Sequence, residues 1–238
     1  MKKYLVLLVL IFVIVKPLHA CSIVDIIPAA DDDIEAMAWD NWGLWVYHGG
    51  FAGPNNKKIV KIDTAGKVLK IIPSPQRSNT IGGGITSDGK NLWYVVQYAT
   101  HDADAKLFKL TKNGKILKSF PFHEYSSGLA WDGKNLWVSN RNSKIYKINQ
   151  TTGKIMQTIN TPGWQNGDEP RALAFDGIYL WVATDEGIYK IDKGSGAILA
   201  ACVDDWNLTY LTGLTWGAGH LWATDDDSIN IMKIDVND

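Results

Sequence analysis

Apolar positions in this chain follow two superimposed rhythms. Over four to eight residues they alternate or run together in stretches rich in Val, Ile, Trp and Tyr, the pattern of β-strands. Over about forty residues the stretches themselves recur, and a period of that length built of short strands predicts propeller blades. The phrase Gly128-Leu129-Ala130-Trp131-Asp132-Gly133-Lys134-Asn135-Leu136-Trp137-Val138 is one of five degenerate copies, at residues 37–46, 85–95, 129–138, 173–182 and 214–223. They align on Trp45, Trp93, Trp137, Trp181 and Trp222, and each supplies two strands, A and B, with hairpin chemistry such as Asp132-Gly133 between them. Strand C follows at 59–62, 107–110, 145–148, 188–191 and 231–234, and strand D at 67–72, 115–120, 154–159 and 197–202. Nothing after residue 20 has convincing helical periodicity. The expected architecture is all-β, a five-bladed β-propeller of four-stranded blades.

The fifth unit stops after strand C, at Asp235, and residues 22–28 match residues 67–73 position by position. The N-terminal strand is therefore expected to pair beside residues 231–235 and close the ring, which removes two free sheet edges. Residues 21–238 then form a single domain.

Residues 1–20 read as a signal peptide. Lys2 and Lys3 precede an apolar run at 5–15, shorter than the roughly 20 residues a spanning helix needs, and Leu18-His19-Ala20 offers a cleavage site. Leu18-His19-Ala20-Cys21 resembles a bacterial lipobox, which implies a lipid anchor on Cys21 and a periplasmic or membrane-anchored lipoprotein; plain secretion is the alternative. An exported cysteine can also form a disulfide, here with Cys202. Strand alignment argues against that bond: Cys21 is level with Gly66 and Cys202 with Ile72, an offset of about 20 Å along a strand, whereas bridged Cα atoms lie within about 7 Å. Cys202 is expected in the core and Cys21 unpaired.

Charge is almost balanced, with 24 Lys and Arg against 25 Asp and Glu, so no nucleic-acid partner is expected and no membrane partner beyond the anchor. Its distribution is less even. The D-to-A connections and B-to-C hairpins emerge on one face and carry 15 of the 25 acids: Asp31, Asp32, Asp33, Asp102, Asp104, Glu124, Asp168, Glu169, Asp185, Glu186, Asp204, Asp205, Asp225, Asp226 and Asp227. Lys67, Lys90, Lys112, Lys134, Lys154 and Lys193 fall on the opposite face, mixed among Asp residues. An acidic face predicts a cationic small molecule, a peptide or an envelope protein as partner, or simply solubility. Asp225-Asp226-Asp227 lacks EF-hand spacing, the five His form no close ligand pair, and G-x-S-x-G, P-loop and paired-Cys motifs are missing, so no metal and no cofactor are expected.

Aromatic residues divide by whether they repeat. The five Leu-Trp tryptophans and Trp39, Trp131, Phe175 and Trp216 recur in register and are expected between blades. Trp164, Trp206, Tyr98, Phe51, Tyr125 and Tyr210 do not recur and fall on the loop-rich face, where Trp164, Trp206 and Tyr210 are candidate ligand-binding residues. One slot diverges in all five copies: the residue before the small Gly or Ala where strand A enters the pore is Glu35, Gly83, Ser127, Arg171 or Thr212. Glu35, Ser127, Arg171 and Thr212 are thus candidate ligand-binding residues at the pore mouth, and Glu35 and Arg171 alternatively neutralise one another.

The blade at residues 128–159 resembles those of plant-type glutaminyl-peptide cyclotransferases, which implies a five-bladed propeller. That family's first blade reads approximately Phe-Thr-Gln-Gly-Leu and then Leu-Tyr/Phe-Glu-Ser-Thr-Gly, with the Glu catalytic; here Val46 stands in the catalytic position, followed by the similar Gly49-Gly50-Phe51-Ala52-Gly53. Glu35-Ala36-Met37-Ala38-Trp39-Asp40 is also similar to the Glu-Gly-Pro-x-Trp opening of gluconolactonase-like propellers, in which the Glu binds a metal. Equivalent slots of this chain hold Gly83, Ser127, Arg171 and Thr212. The resulting expectation is an exported cell-envelope binding module that uses its acidic loop-rich face. The alternative is a diverged cyclotransferase-like or lactonase-like enzyme using Glu35 as acid or base, with Asp168 or Glu169.

Overall fold

In the computed structural model, residues 21–29, 34–49, 57–75, 81–98, 106–122, 125–161, 169–202, 211–225 and 230–236 are described. All their regular elements are strands, arranged in five four-stranded antiparallel sheets. Blade one is β2 (Ile34–Asp40), β3 (Gly43–His48), β4 (Lys58–Asp63) and β5 (Val68–Pro73), and blade two is β6 (Ile81–Ser87), β7 (Asn91–Tyr98), β8 (Lys106–Thr111) and β9 (Ile116–Pro121). Blade three is β10 (Ser126–Trp131), β11 (Leu136–Asn140), β12 (Lys144–Ile148) and β13 (Ile155–Asn160), and blade four is β14 (Ala172–Phe175), β15 (Leu180–Ala183), β16 (Ile188–Ile191) and β17 (Ile198–Cys202). Blade five joins both ends of the chain: β18 (Leu211–Gly217), β19 (His220–Asp225) and β20 (Asn230–Asp235) are completed by β1 (Ser22–Pro28). β1 pairs with β20 from Ser22 opposite Asp235 to Pro28 opposite Asn230, the closure expected from the sequence.

Five apolar clusters, one between each pair of neighbouring blades, make up the core. Each contains a strand-B tryptophan; Trp45, Trp93, Trp137, Trp181 and Trp222 are all at most 2% exposed. Their indole N–H groups would be costly to bury alone. In the first four blades the Nε1 donates to a turn aspartate: Trp45 to Asp40 at 3.0 Å, Trp93 to Asp88 at 3.1 Å, Trp137 to Asp132 at 2.9 Å and Trp181 to Asp176 at 2.9 Å. A strand-C lysine lies over each ring, from Lys109 at 4.7 Å to Lys233 at 5.8 Å. Burial acts to raise the carboxyls of Asp40, Asp88 and Asp132, but bonds from lysine, indole and backbone N–H groups outweigh it and hold them below their ordinary value.

Close packing of the five A strands requires small residues around the axis. A methyl group at Gly84 would stand 2.3 Å from the Leu129 nitrogen of the next blade. Ala36, Gly84, Gly128, Ala172 and Gly213 surround a small axial space, together with larger apolar side chains such as Leu129 and Leu173 and the polar Ser127 and Thr212. Its polar lining, Ser127 and Thr212, belongs to the divergent slot where strand A enters the pore.

One expectation fails. Cys21 and Cys202 form a disulfide, with Cα atoms 5.5 Å apart, and both are buried. No free cysteine remains, so the lipid anchor on Cys21, and with it the expected membrane attachment, is overturned. An offset of six levels is about 20 Å along one strand, but these two cysteines lie at the D strands of neighbouring blades, where that distance does not apply. Blades are twisted, and the start of one D strand packs against the end of the preceding blade's D strand. Gly66 accordingly approaches Pro28, Gly114 approaches Ile72, Gly153 approaches Phe120 and Gly196 approaches Ile159. Cys21 and Cys202 are the fifth instance of this inter-blade contact.

Candidate functional site at the pore mouth

The divergent slot is a backbone irregularity. The A-to-B register shifts between Ile34 and Ala36, Gly82 and Ile85, Ser126 and Leu129, and Leu211 and Gly213, so that four of the five slots interrupt the ladder. Bulges of this kind re-aim side chains, which frees the slot to diverge while its neighbours keep the repeat. Arg171 lies just before β14, and its backbone N–H donates to Ala183 at 2.8 Å.

Two of the four candidates at this slot join blades together. Thr212 Oγ1 donates to the Ile34 carbonyl at 2.8 Å, and Ser127 Oγ donates to the Pro170 carbonyl at 2.8 Å. Both acceptors immediately precede the next blade's slot, so Thr212 and Ser127 make the same contact in different blades. Ser139 Oγ lies 3.3 Å from Ser127 Oγ and accepts from the Gly128 N–H at 2.7 Å.

Arg171 holds Asp185 in a bidentate pair, its Nη2 bond measuring 3.0 Å. Beside it, Arg141 pairs with Glu169, lies 5.3 Å from the centre of the Tyr125 ring and donates to the Tyr125 hydroxyl at 3.3 Å. Burial alone would lower Arg141, but Glu169 and Tyr125 raise it above its ordinary value. Part of the acidic face is thus matched by arginine, forming a polar rim between blades three and four.

Glu35 belongs to a different cluster, between blades one and two. Its Oε2 is shielded from solvent, as are the hydroxyls of Tyr47 and Tyr94 and the Nε2 of His48. The two tyrosine rings lie 5.0 Å apart, and the Tyr94 hydroxyl interacts with those of Tyr47 and Ser74. Burial first, then Tyr47 and the charge of Glu35, push the Tyr94 phenol well above its ordinary value, so it stays protonated. Gly82 makes room for this arrangement, since a methyl group there would stand 1.9 Å from Tyr47 Cε1.

Sequence reasoning missed the tyrosine pair, although a signal was present. Tyr94 stands opposite Ile85 in the register position that Val46, Val138, Val182 and Ala223 occupy in the other blades, so it breaks the repeat on strand B as Glu35 does on strand A. Val46 is 1% exposed and packs with Trp222 and Ile231 between blades five and one. Trp164, Trp206, Tyr210 and Asp168 lie outside the described residues. Among the described residues no group of three or more His, Cys, Asp or Glu could hold a metal ion.

No family model matches the chain, and no curated protein matches its sequence. Solved structures do match. Glutaminyl cyclase of Myxococcus xanthus superposes with a TM-score of 0.72 at 11% identity, covering 91% of this chain and 96% of that one. The WD40 β-propeller domain of Doa1 superposes with a TM-score of 0.52 at 10% identity, covering 84% of this chain and 62% of that one. The chain is a five-bladed propeller that resembles the glutaminyl-cyclase fold at low sequence identity.

Proposed function

We propose that this chain is a cyclotransferase-like propeller whose pore mouth, centred on Glu35, acts on the N-terminal residue of an amine-bearing peptide. The observation that carries the reading is a carboxylate on a bulged pore-mouth strand, one oxygen shielded beside two phenols, in a fold similar to a glutaminyl cyclase over nearly its whole length. In cyclisation of an N-terminal glutamine, the α-amine nitrogen bonds to the side-chain carboxamide carbon and ammonia departs. The amine must lose a proton and the leaving nitrogen must gain one. Glu35 would accept the first proton and return it to the second. Tyr94, kept protonated, serves as a positioning residue that donates toward the Tyr47 and Glu35 cluster.

Incubation with a glutamine-initiated peptide, read by ammonia release and by mass, tests this. Turnover should fall by about 10² to 10⁴ in Glu35→Gln.

Burial of Val46, where the family's catalytic Glu would stand, favours a second reading: a binding module that holds a cationic peptide or small molecule on the same face without converting it. Salt-sensitive binding of the peptide, weakened by Glu35→Gln and without ammonia release, would identify that module.

Either activity fits an exported protein, with residues 1–20 removed as a signal peptide and residues 21–238 as the domain. A buried disulfide linking the N-terminal strand to blade four supports an oxidising compartment. Among the described residues no helix is long and apolar enough to cross a membrane.

A further inference from the structure

A second divergent slot lies on the face opposite the pore mouth. Two residues past the turn position that holds Asp40 in blade one, successive blades carry Trp42, Lys90, Lys134, Ile178 and Gly219. All five are exposed. Trp42, at 74%, and Ile178, at 65%, are the most exposed large apolar side chains among the described residues. Blades four, five and one are consecutive around the ring, so Ile178, Gly219 and Trp42 occupy one arc and Lys90 and Lys134 the other.

Folding accounts for the aspartates on this face but not for the tips. Asp40, Asp88 and Asp176 are engaged from the inside by Lys61, Lys109 and Lys190, and Asp132 by the charge of Lys147. Among the described residues neither Lys90 nor Lys134 has an ion-pair partner, and Lys67, Lys115 and Lys154 are exposed on neighbouring turns. Asp63, Asp192 and Asp235, at the ends of their C strands, are the opposing charges; Asp63 and Asp192 cap their own turns through backbone N–H groups. The outer strands begin on the same face with exposed apolar pairs: Val68 and Leu69, Ile116 and Leu117, Ile155 and Met156.

We propose that this face docks on an anionic lipid bilayer surface, with Trp42 and Ile178 entering the headgroup region and Lys90 and Lys134 meeting lipid phosphates. Charge complementarity favours an anionic partner. A tryptophan presented on a turn tip, with an apolar ring and a polar N–H, suits the bilayer interface. Lysine stems can lie along an apolar surface while their ammonium groups reach phosphate. Docking by this face leaves the pore mouth directed away from the membrane and open to substrate.

The test is co-sedimentation of residues 21–238 with vesicles of phosphatidylglycerol and phosphatidylcholine, against phosphatidylcholine alone. Binding should require the anionic lipid and weaken with salt. Each lysine near the surface contributes about fivefold in affinity, so Lys90→Glu with Lys134→Glu should reduce partitioning at least tenfold. Trp42→Ser should reduce it about tenfold and remove a component of the fluorescence quenching caused by brominated lipid. Circular dichroism should be unchanged, because Trp42, Lys90 and Lys134 are all solvent-facing. Equal partitioning on neutral and anionic vesicles, or variants that bind like the parent chain, would overturn the proposal. So would capture of soluble polyglutamate as tight as vesicle binding with no brominated-lipid quenching, which would point to an acidic protein instead.

Discussion

Blade five differs from the first four at both of its lower corners, and each difference has a physical cause. At the outer corner the first four blades turn from strand C into strand D through a glycine that approaches the end of the preceding blade's D strand, as Gly153 does at Phe120. Blade five has no such hairpin, because its strands C and D, β20 and β1, come from opposite ends of the chain. The Cys21–Cys202 disulfide occupies this corner and binds the ring closure covalently to blade four. At the inner corner the indole acceptor is a carboxylate in four blades and the Gly217 carbonyl in the fifth, at 3.0 Å from Trp222 Nε1. A side chain at Gly217 would collide with Trp39, which stacks on Trp222 with ring centroids 5.5 Å apart. The repeat therefore yields where the ring must be closed.

The largest expected effect comes from removing the closing strand. Deletion of residues 21–28 exposes the edge of β20 and also removes Cys21. The shortened chain should aggregate or lose cooperative unfolding, as read by size-exclusion chromatography and thermal melts. A monomer with unchanged melting would show that blade five needs neither β1 nor the disulfide.

Replacing only the disulfide is a milder version of the same test. Cys21→Ser with Cys202→Ser should cost about 2–5 kcal/mol, because the bridge closes a loop spanning most of the chain. Urea unfolding measures this. The parent chain under reducing conditions should approach the variant, slowly, since both sulfurs are buried.

A sequence comparison and the structure make opposite predictions for Gly217. Restoring the repeat with Gly217→Asp looks like a consensus stabilisation, whereas a Cβ there would stand 1.9 Å from Trp39 Cδ2. The structure predicts a loss of about 1–3 kcal/mol, the usual cost of overpacking. Gly217→Asp combined with Trp39→Ala should lose less than the two single changes added together.

The fold was largely legible because forty-residue periodicity is a property of the chain itself, and the match of residues 22–28 to residues 67–73 revealed even the closure. The disulfide was not legible in the same way. Levels along a strand are written in the sequence, but which levels meet across neighbouring blades depends on blade twist. Glycines at the four other corners were the available clue, since each D strand begins behind a residue that tolerates close approach. Within the site, the slot holding Glu35, Ser127, Arg171 and Thr212 was identified by its divergence, but divergence could not distinguish a carboxylate shielded beside phenols from hydroxyls that clamp adjacent blades. Partners settle that distinction, and Asp185 and Tyr94 lie on strands or turns whose contribution the strand-A pattern does not contain.

The smallest effect concerns the carboxylate corners of the first three blades and is a function of pH. Asp40, Asp88 and Asp132 have folded values below the ordinary carboxylate value. Such groups contribute stability that is fully present above the unfolded value of about 3.9 and is lost as pH falls through the folded one. Asp132→Asn keeps an oxygen for Trp137 Nε1 but ends the charge attraction to Lys147. Its cost at neutral pH should be on the order of 1 kcal/mol. Measured by urea unfolding, the gap between parent and variant should hold from pH 7 to about 5 and narrow below about 4. Blade five offers the control. Its indole bonds to a carbonyl that does not titrate, so the stability of the Trp222 corner should contribute nothing to the acid-dependent part. A gap that stays constant down to pH 2 would show that the aspartate corners act through geometry alone and are equivalent to the carbonyl of Gly217.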